Sequence, residues 1–180
     1  MICPSGVLVR RLNGSPPSRF CAVNTMEIQP DFRDLFALLN EYKVEYLIVG
    51  GYALAFHGAP RYTGDIDIFV RPHPTNAQRI LRALAAFGFQ FPNLTVDDFQ
   101  NPDKVVQLGV PPVRIDLITS LTGVAWEEAD ASKEPGYYGD VLVHYIGKEQ
   151  YIANKQATGR KKDLADIEAL SEGQEDPDPS

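Results

Sequence analysis

The stretch LIVGGYALAFHGAPRYTGDIDIFV, residues 47–70, decides the fold. It begins with an aliphatic run typical of a buried strand, and Gly50-Gly51 then turns the chain where side chains would clash. The residues that follow predict a short helix, whose first backbone amides are suited to binding phosphate. The end of the stretch alternates polar and apolar residues, which predicts a second strand with one buried face. Asp65 and Asp67 share a face of that strand, where two carboxylates require neutralisation by water or cations.

A third carboxylate, Asp116, lies on a later predicted strand, residues 113–118. Ile115 and Leu117 face one side of that strand, and Asp116 faces the other side with Arg114. If this strand lies beside the Asp-x-Asp strand, the three carboxylates form one acidic cluster. Such a cluster can hold hard cations, most simply two Mg²⁺ ions about 3.5–4 Å apart. This arrangement serves phosphoryl transfer, and the double glycine would then cradle a triphosphate.

Composition restricts the class of protein. The 180 residues suit one domain with its own core, and a hydrophobic content of 44% is ordinary for a globular chain. The net charge of −7 argues against broad, non-specific nucleic-acid binding and is compatible with a metal-dependent site. Cys3 and Cys21 fit neither a disulfide framework nor a metal-finger spacing, which favours a reducing, cytoplasmic compartment. No apolar run approaches the ~20 residues of a membrane helix, so we expect no membrane partner.

The other elements are predicted from the spacing of apolar residues. Helices are expected over residues 30–42, 52–56, 76–87 (capped by Thr75), 121–133, 148–158 and 162–170. Strands are expected over residues 47–49, 65–70, 104–109, 113–118 and 141–146, with the third and fourth forming a hairpin. Residues 89–102 are expected to form a loop.

The two ends of the chain differ from its centre. Residues 1–25 contain proline-bearing clusters and no sustained periodicity, so we expect a disordered leader, with Met26 as the working start. The same residues bear Arg and Ser and lack acids, which leaves a transit peptide as an alternative. We expect the domain over residues 26–170 and a disordered acidic tail over residues 171–180.

Together these motifs resemble the nucleotidyltransferase superfamily of DNA polymerase beta. Its signature is a hydrophobic-Gly-Gly/Ser turn, a spacer, an Asp-hydrophobic-Asp pair and a third Asp on a later strand. The resemblance implies an α/β (α+β) fold, in which a mixed sheet is flanked by helices, with further helices at the C-terminus. It also implies dependence on Mg²⁺ and transfer of a nucleotide from a nucleoside triphosphate to a hydroxyl, on an RNA 3′ end or a protein side chain.

Finer features are similar to the small bacterial branch, which includes the abortive-infection type of toxin nucleotidyltransferase. They are the pattern from the double glycine through Arg61 and Thr63, and the Lys155 to Ile167 segment. This branch implies a cognate antitoxin or partner protein. One departure is that many members have Gly-Ser where this chain has a second glycine, so a serine hydroxyl contact to phosphate is absent.

The resemblance gives roles to named residues. Asp65, Asp67 and Asp116 are expected to be the catalytic and metal-binding residues, and Asp116 also helps to deprotonate the acceptor hydroxyl. Gly50 and Gly51 are expected to position the β and γ phosphates.

Four further residues are nucleotide-binding candidates, namely Arg61, Thr63, Lys155 and Arg160. Arg61 can either reach a phosphate or pair with an Asp of the cluster. Lys155 and Arg160 either clamp the triphosphate or belong to a solvated helix end beside acidic residues. A second function class also stays open, a non-catalytic nucleotide- or partner-binding module with a residual site.

The leader gives the first testable prediction. Because residues 1–25 lack periodicity, deleting them is expected to leave the melting temperature nearly unchanged. The measurement is a thermal melt of the full-length and shortened chains. A loss of more than a few degrees would mean that the leader packs on the domain.

Overall fold

The computed structural model describes residues 28–89, 92–110 and 113–172. Its helices are α1 (Pro30–Glu41), α2 (Gly50–Phe56), α3 (Pro74–Phe87), α4 (Asp97–Gln100), α5 (Trp126–Ala131), α6 (Lys148–Thr158) and α7 (Lys161–Glu172). Its strands are β1 (Tyr46–Val49), β2 (Asp65–Val70), β3 (Val105–Leu108), β4 (Arg114–Ile118), β5 (Glu134–Tyr138) and β6 (Val141–Tyr145).

The strands form one mixed sheet in the order β3-β4-β2-β1-β6-β5. Strand β2 pairs in parallel with β4, and β1 pairs in parallel with β6, while the other neighbours are antiparallel. Helix α1 packs on α3 and β6, α2 on β1 and β2, and α6 on α7. The structure thus confirms the predicted α/β architecture of a mixed sheet with C-terminal helices.

The two central strands, β1 and β2, lie in the hydrophobic core. Leu47 and Ile48 on β1 and Ile66 and Ile68 on β2 are fully buried. Complete burial of such a side chain stabilises the fold by about 1.5–3 kcal/mol. Because β2 alternates these residues with its aspartates, packing of one set fixes the position of the other.

The starts of α2 and α3 each lie two residues before the predicted ones. Helix α2 begins at Gly50 itself, two residues before the predicted start. Helix α3 begins at Pro74, and its N-cap is His73, whose ring accepts a hydrogen bond from the Thr75 amide at 3.3 Å. The prediction that Thr75 caps this helix is therefore wrong. The physical reason is that proline, which has no amide hydrogen, is well suited to the first helical turn.

Two elements were not predicted. Strand β5 carries Pro135 and Gly136, which argue against a strand in the sequence. It is an edge strand paired with β6, where proline is tolerated. A Cβ on Gly136 would lie 2.8 Å from Phe56 and 3.0 Å from Tyr145, so only glycine packs there. Within the predicted loop, α4 forms a single turn, and the predicted helix over residues 121–133 is reduced to the six residues of α5.

Several expectations fall partly or wholly outside the described residues. The predicted leader, residues 1–25, and the part of the predicted acidic tail beyond Glu172 lie outside them. The turn at residues 111–112 does as well, although the flanking strands β3 and β4 pair antiparallel as the predicted hairpin requires. Within the part of the chain that is described, no helix has the length and apolar character needed to cross a membrane.

Candidate active site

The carboxylates meet at the centre of the sheet. In the parallel register of β2 and β4, Asp67 lies opposite Asp116, and Asp65 lies opposite Arg114. Paired residues of neighbouring strands project from the same face of a sheet, so all four side chains share one face. The predicted adjacency of the two strands is confirmed. A single long-range strand pairing thus gathers residues that are far apart in the sequence.

The glycine turn lies directly against this cluster. Gly50 has a φ of 62°, in the left-handed region that favours glycine. A Cβ added at Gly50 would overlap the Asp67 carboxylate oxygen Oδ2. Two independent constraints therefore require glycine here, and they leave the Gly50 backbone exposed to the carboxylate side of the site.

Thr63 fills the space beside the second glycine. A Cβ on Gly51 would lie 3.0 Å from both Cβ and Cγ2 of Thr63. The Thr63 hydroxyl donates a 2.6 Å hydrogen bond to Asp65 Oδ1. Thr63 therefore places a hydroxyl close to the second glycine, with its Oγ1 3.2 Å from the position of a Cβ at Gly51.

Arg114 lies among the carboxylates. Its Nη2 donates to Asp65 Oδ2 and, at 3.2 Å, to Asp116 Oδ2, which also accepts from Gln107 Nε2 at 3.4 Å. Its Nε lies 3.1 Å from Asp116 Oδ1. Arg114 Nε and Asp116 Oδ1 are both buried, and neither has a hydrogen-bond partner among the described residues. The guanidinium therefore offsets part of the negative charge of Asp65 and Asp116, and one oxygen of Asp116 accepts no hydrogen bond from the described residues.

Asp67 pairs with no cation among the described residues, and its negative charge is electrostatically unfavourable where it lies. Burial, together with the negative charges of Asp65 and Asp116, raises the pKa of Asp67 to about 6. Lys155 and Lys162 oppose this shift. The site therefore has excess negative charge even with Arg114 in place.

The predicted clamp residues Lys155 and Arg160 pair with helix α7. Lys155 Nζ lies 2.7 Å from Asp163 Oδ1 and 3.6 Å from Asp166 Oδ2, and its side chain is only 10% exposed. Arg160 Nε donates to the other oxygen of Asp163 at 2.8 Å, with a side chain that is 72% exposed. A solvated helix end is thus wrong for Lys155 and fits Arg160.

Arg61 also pairs with an acidic residue of helix α7. Its Nε and Nη2 donate to the two oxygens of Asp166 at 2.8 and 3.2 Å. The Tyr151 hydroxyl donates to Asp166 Oδ2 at 3.3 Å. The alternative in which Arg61 pairs with an Asp of the cluster is therefore wrong, because its partner lies on α7.

Sequence reasoning missed the roles of Asp163 and Asp166. The two residues are three apart in a helix, so they share a face, and Leu170 on the same face is buried. A pair of acids on the buried face of a helix indicates buried cationic partners, since an unpaired buried charge is costly. That signal was available in the sequence, whereas the identity of the partners required the structure.

The donor set suits a hard divalent cation. Asp65, Asp67 and Asp116 offer carboxylate oxygens, the ligands that Mg²⁺ prefers, and the unsatisfied Oδ1 of Asp116 is one of them. As the side chains stand, no three His, Cys, Asp or Glu residues in the described ranges are placed to hold a metal ion. Arg114 bridges two members of this donor set, Asp65 and Asp116.

Comparison with known proteins gives the class. Residues 29–177 match the family described as "Nucleotidyl transferase of unknown function (DUF2204)", and the chain belongs to that family. The protein is accordingly a nucleotidyltransferase, with an acceptor that the family description does not specify. The sequence matches none of the curated proteins.

A solved structure shares the fold. It is a "putative nucleotidyltransferase" from Thermotoga maritima, with a TM-score of 0.53 and 14% sequence identity. The alignment covers 82% of this chain and 96% of that one. At this identity the likeness concerns the fold alone.

The raised pKa of Asp67 gives a prediction about stability. Between about pH 4 and pH 6 the folded protein holds a proton on Asp67 that the unfolded chain releases, so this group lowers the free energy of unfolding as the pH rises. At pH 7.5 without metal, Asp67→Asn is expected to raise that free energy by about 1–3 kcal/mol. At pH 4 the gain should vanish, and thermal melts of both proteins across this range in EDTA measure it.

The control is Asp65→Asn. Asp65 accepts from Thr63 and Arg114, so neutralising it removes favourable contacts and should give no gain. An equal gain for Asp67→Asn at both pH values would contradict the electrostatic explanation.

Proposed function

We propose that this nucleotidyltransferase is Mg²⁺-dependent and moves a nucleotide from a nucleoside triphosphate to a hydroxyl acceptor. The observation that carries the proposal is the register that sets Asp67 opposite Asp116, with the Gly50 turn against Asp67. Carboxylates for metal ions and a side-chain-free turn for phosphates are the two components that this chemistry needs. Family membership supports the class of reaction.

The metal ligands in this proposal are Asp65, Asp67 and Asp116. Two Mg²⁺ ions bound there would neutralise the charge that develops on the attacking and leaving oxygens. Asp65 and Asp67 lie on one strand and would hold the triphosphate side of the site. Asp116, on the neighbouring strand, would accept the proton of the acceptor hydroxyl.

The nucleotide would lie along the glycine turn. Gly50 and Gly51 carry no side chain, and the backbone amides of this turn would donate to the β and γ phosphates. The Thr63 hydroxyl, which donates to Asp65, would hold that carboxylate in position and substitute for the missing serine. In this proposal these residues bind and orient the triphosphate.

Three cationic side chains, those of Arg61, Lys155 and Arg160, would act as counter-charges to the triphosphate. Arg160 is the most exposed of them and has one described ion pair, to Asp163, so it can turn to a phosphate most readily. Arg61 and Lys155 are held by Asp166 and Asp163, and they would stabilise the triphosphate through space without leaving these partners. In this proposal α7 orients the basic side chains.

Arg114 favours a second candidate function. A guanidinium that bridges Asp65 and Asp116 is also what a non-catalytic nucleotide- or partner-binding module with a residual site would retain. The presence of all three carboxylates supports the enzyme instead. Label transfer from nucleoside triphosphates to an acceptor distinguishes the two.

The acceptor and the setting are also proposals. An RNA 3′ end and a protein hydroxyl both fit, and the resemblance to abortive-infection toxins supports a toxin–antitoxin role with a cognate partner in the cytoplasm. Incubation with labelled nucleoside triphosphates, Mg²⁺ and cell lysate, analysed on RNA and protein gels, identifies the acceptor class.

Metal binding should be visible in the stability of the protein. Mg²⁺ or Mn²⁺ at 100 times its dissociation constant is expected to stabilise the fold by about 2.7 kcal/mol, because the ion binds the folded state alone. Thermal melts with each metal and then with EDTA measure this. The double variant Asp65→Asn with Asp67→Asn should lose the response, and an undiminished response would move the metal site elsewhere.

Asp116 separates chemistry from binding. Asp116→Asn keeps the shape of the side chain but removes charge and basicity, so transfer is expected to fall by ~10²–10⁴ or more. Binding of the Mg²⁺–nucleotide should stay within several-fold, because Asp65 and Asp67 are intact. Titration and label transfer on one preparation provide both values.

The matched control is Asp140→Asn, at an exposed carboxylate that pairs with Arg33. It should leave transfer unchanged. Undiminished transfer in Asp116→Asn would remove Asp116 from the mechanism.

A further inference from the structure

Arg114 lies inside the candidate metal site, although it carries the same sign of charge as the ions that the site would bind. Its Nη2 donates to Asp65 on β2 and to Asp116 on β4. The guanidinium thus bridges carboxylates from two neighbouring strands, as a metal ion bound between them would. It offsets the repulsion that these carboxylates would otherwise exert on each other.

The pairing is incomplete in a specific way. Arg114 Nε and Asp116 Oδ1 are 3.1 Å apart, which is ion-pair distance, yet neither atom has a hydrogen-bond partner within the described ranges. By contrast, Arg61 makes two hydrogen bonds to Asp166. Arg114 also donates two hydrogen bonds, but both come from Nη2, so its Nε contributes charge alone. A metal ion needs no directional hydrogen and can use the oxygen that Arg114 leaves unsatisfied.

Arg114 can also leave the cluster at modest cost. Its side chain is 31% exposed, against 10% for Lys155. A partly exposed guanidinium regains water when it swings out, whereas a buried lysine would have to be moved into solvent with its whole stem. One guanidinium also supplies a single positive charge to three carboxylates, so divalent ions can neutralise the site more completely.

We infer that Arg114 is an internal counter-ion that occupies the metal-free site and is displaced when divalent cations bind to Asp65, Asp67 and Asp116. This inference rests on the proposed function, because it requires the cluster to bind metal. Arg114 acts through the carboxylates and is a positioning residue. It keeps the cluster stable without metal and lowers the metal affinity, since each binding event must first break the Arg114 contacts.

The test compares Arg114→Met with the wild-type protein at pH 7.5. Methionine keeps most of the stem and removes the charge. Without metal, the melting temperature of Arg114→Met is expected to fall, because the carboxylates lose their counter-ion. The affinity for Mn²⁺, measured by titration calorimetry without nucleotide, is expected to rise about tenfold, which corresponds to about 1.4 kcal/mol.

The matched control is Arg71→Met. Arg71 has a similarly exposed side chain, at 37%, and pairs with Glu45 at 2.9 Å, just beyond the opposite end of β2. It should leave the Mn²⁺ affinity unchanged. An equal rise of the Mn²⁺ affinity in both variants would attribute the effect to net charge and overturn the inference. A Mn²⁺ affinity of Arg114→Met at or below the wild-type value would overturn it as well.

A second measurement covers the case in which Arg114→Met does not fold. In the wild-type protein, the Arg114 Nε–H signal in an ¹⁵N NMR spectrum, assigned with Arg114→Lys, reports its environment. Mg²⁺ is expected to shift this signal and speed its exchange with water. A signal unchanged at saturating Mg²⁺ overturns the inference.

The outcomes separate the two proposals. If the wild-type protein binds Mn²⁺ and transfers nucleotide, but Arg114→Met has the same Mn²⁺ affinity, the role of Arg114 is refuted. The proposed function then still stands. Wild-type protein that neither binds Mn²⁺ nor transfers label refutes the proposed function, and the displacement of Arg114 with it.

Discussion

Repulsion among carboxylates at the centre of the sheet is the constraint on which the site depends. The parallel pairing of β2 with β4 places Asp67 against Asp116, and burial of the central strands prevents the two from moving apart. Folding energy from the apolar faces therefore maintains an arrangement that electrostatics disfavours, and the raised pKa of Asp67 reflects that cost. Proteins commonly tolerate such local cost at functional sites, where the stored charge attracts a ligand of opposite sign.

The charges around the site divide into two groups with different partners. Arg114 pairs directly with two of the sheet carboxylates, whereas Asp163 and Asp166 on α7 hold Lys155, Arg160 and Arg61. Without these helix acids, the cations near the cluster would be drawn to its carboxylates. Helix α7 thereby keeps positive charge near the site, while its acids hold these cations away from the sheet carboxylates.

Much of the fold followed from sequence because its signals are local. The alternation in β2 and the double glycine before α2 have physical causes within a few residues, so the strand and the turn were predictable. Strand β5 was missed because Pro135 is unfavourable in a strand except at an edge, and edges are defined by topology. The same limit applies to Arg61, since a choice between Asp65 and Asp166 as partner depends on where α7 packs.

The glycine turn and Thr63 share one small space beside Asp65. A serine after Gly50 would need space that Thr63 occupies, since a Cβ at Gly51 would already lie 3.0 Å from the threonine carbons. Thr63 in turn places its hydroxyl on Asp65, a contact that a serine on the turn would not make by itself. The two positions are therefore coupled by volume. A larger residue at position 51 becomes compatible only with a smaller one at position 63, and the hydroxyl can move from one side of this contact to the other.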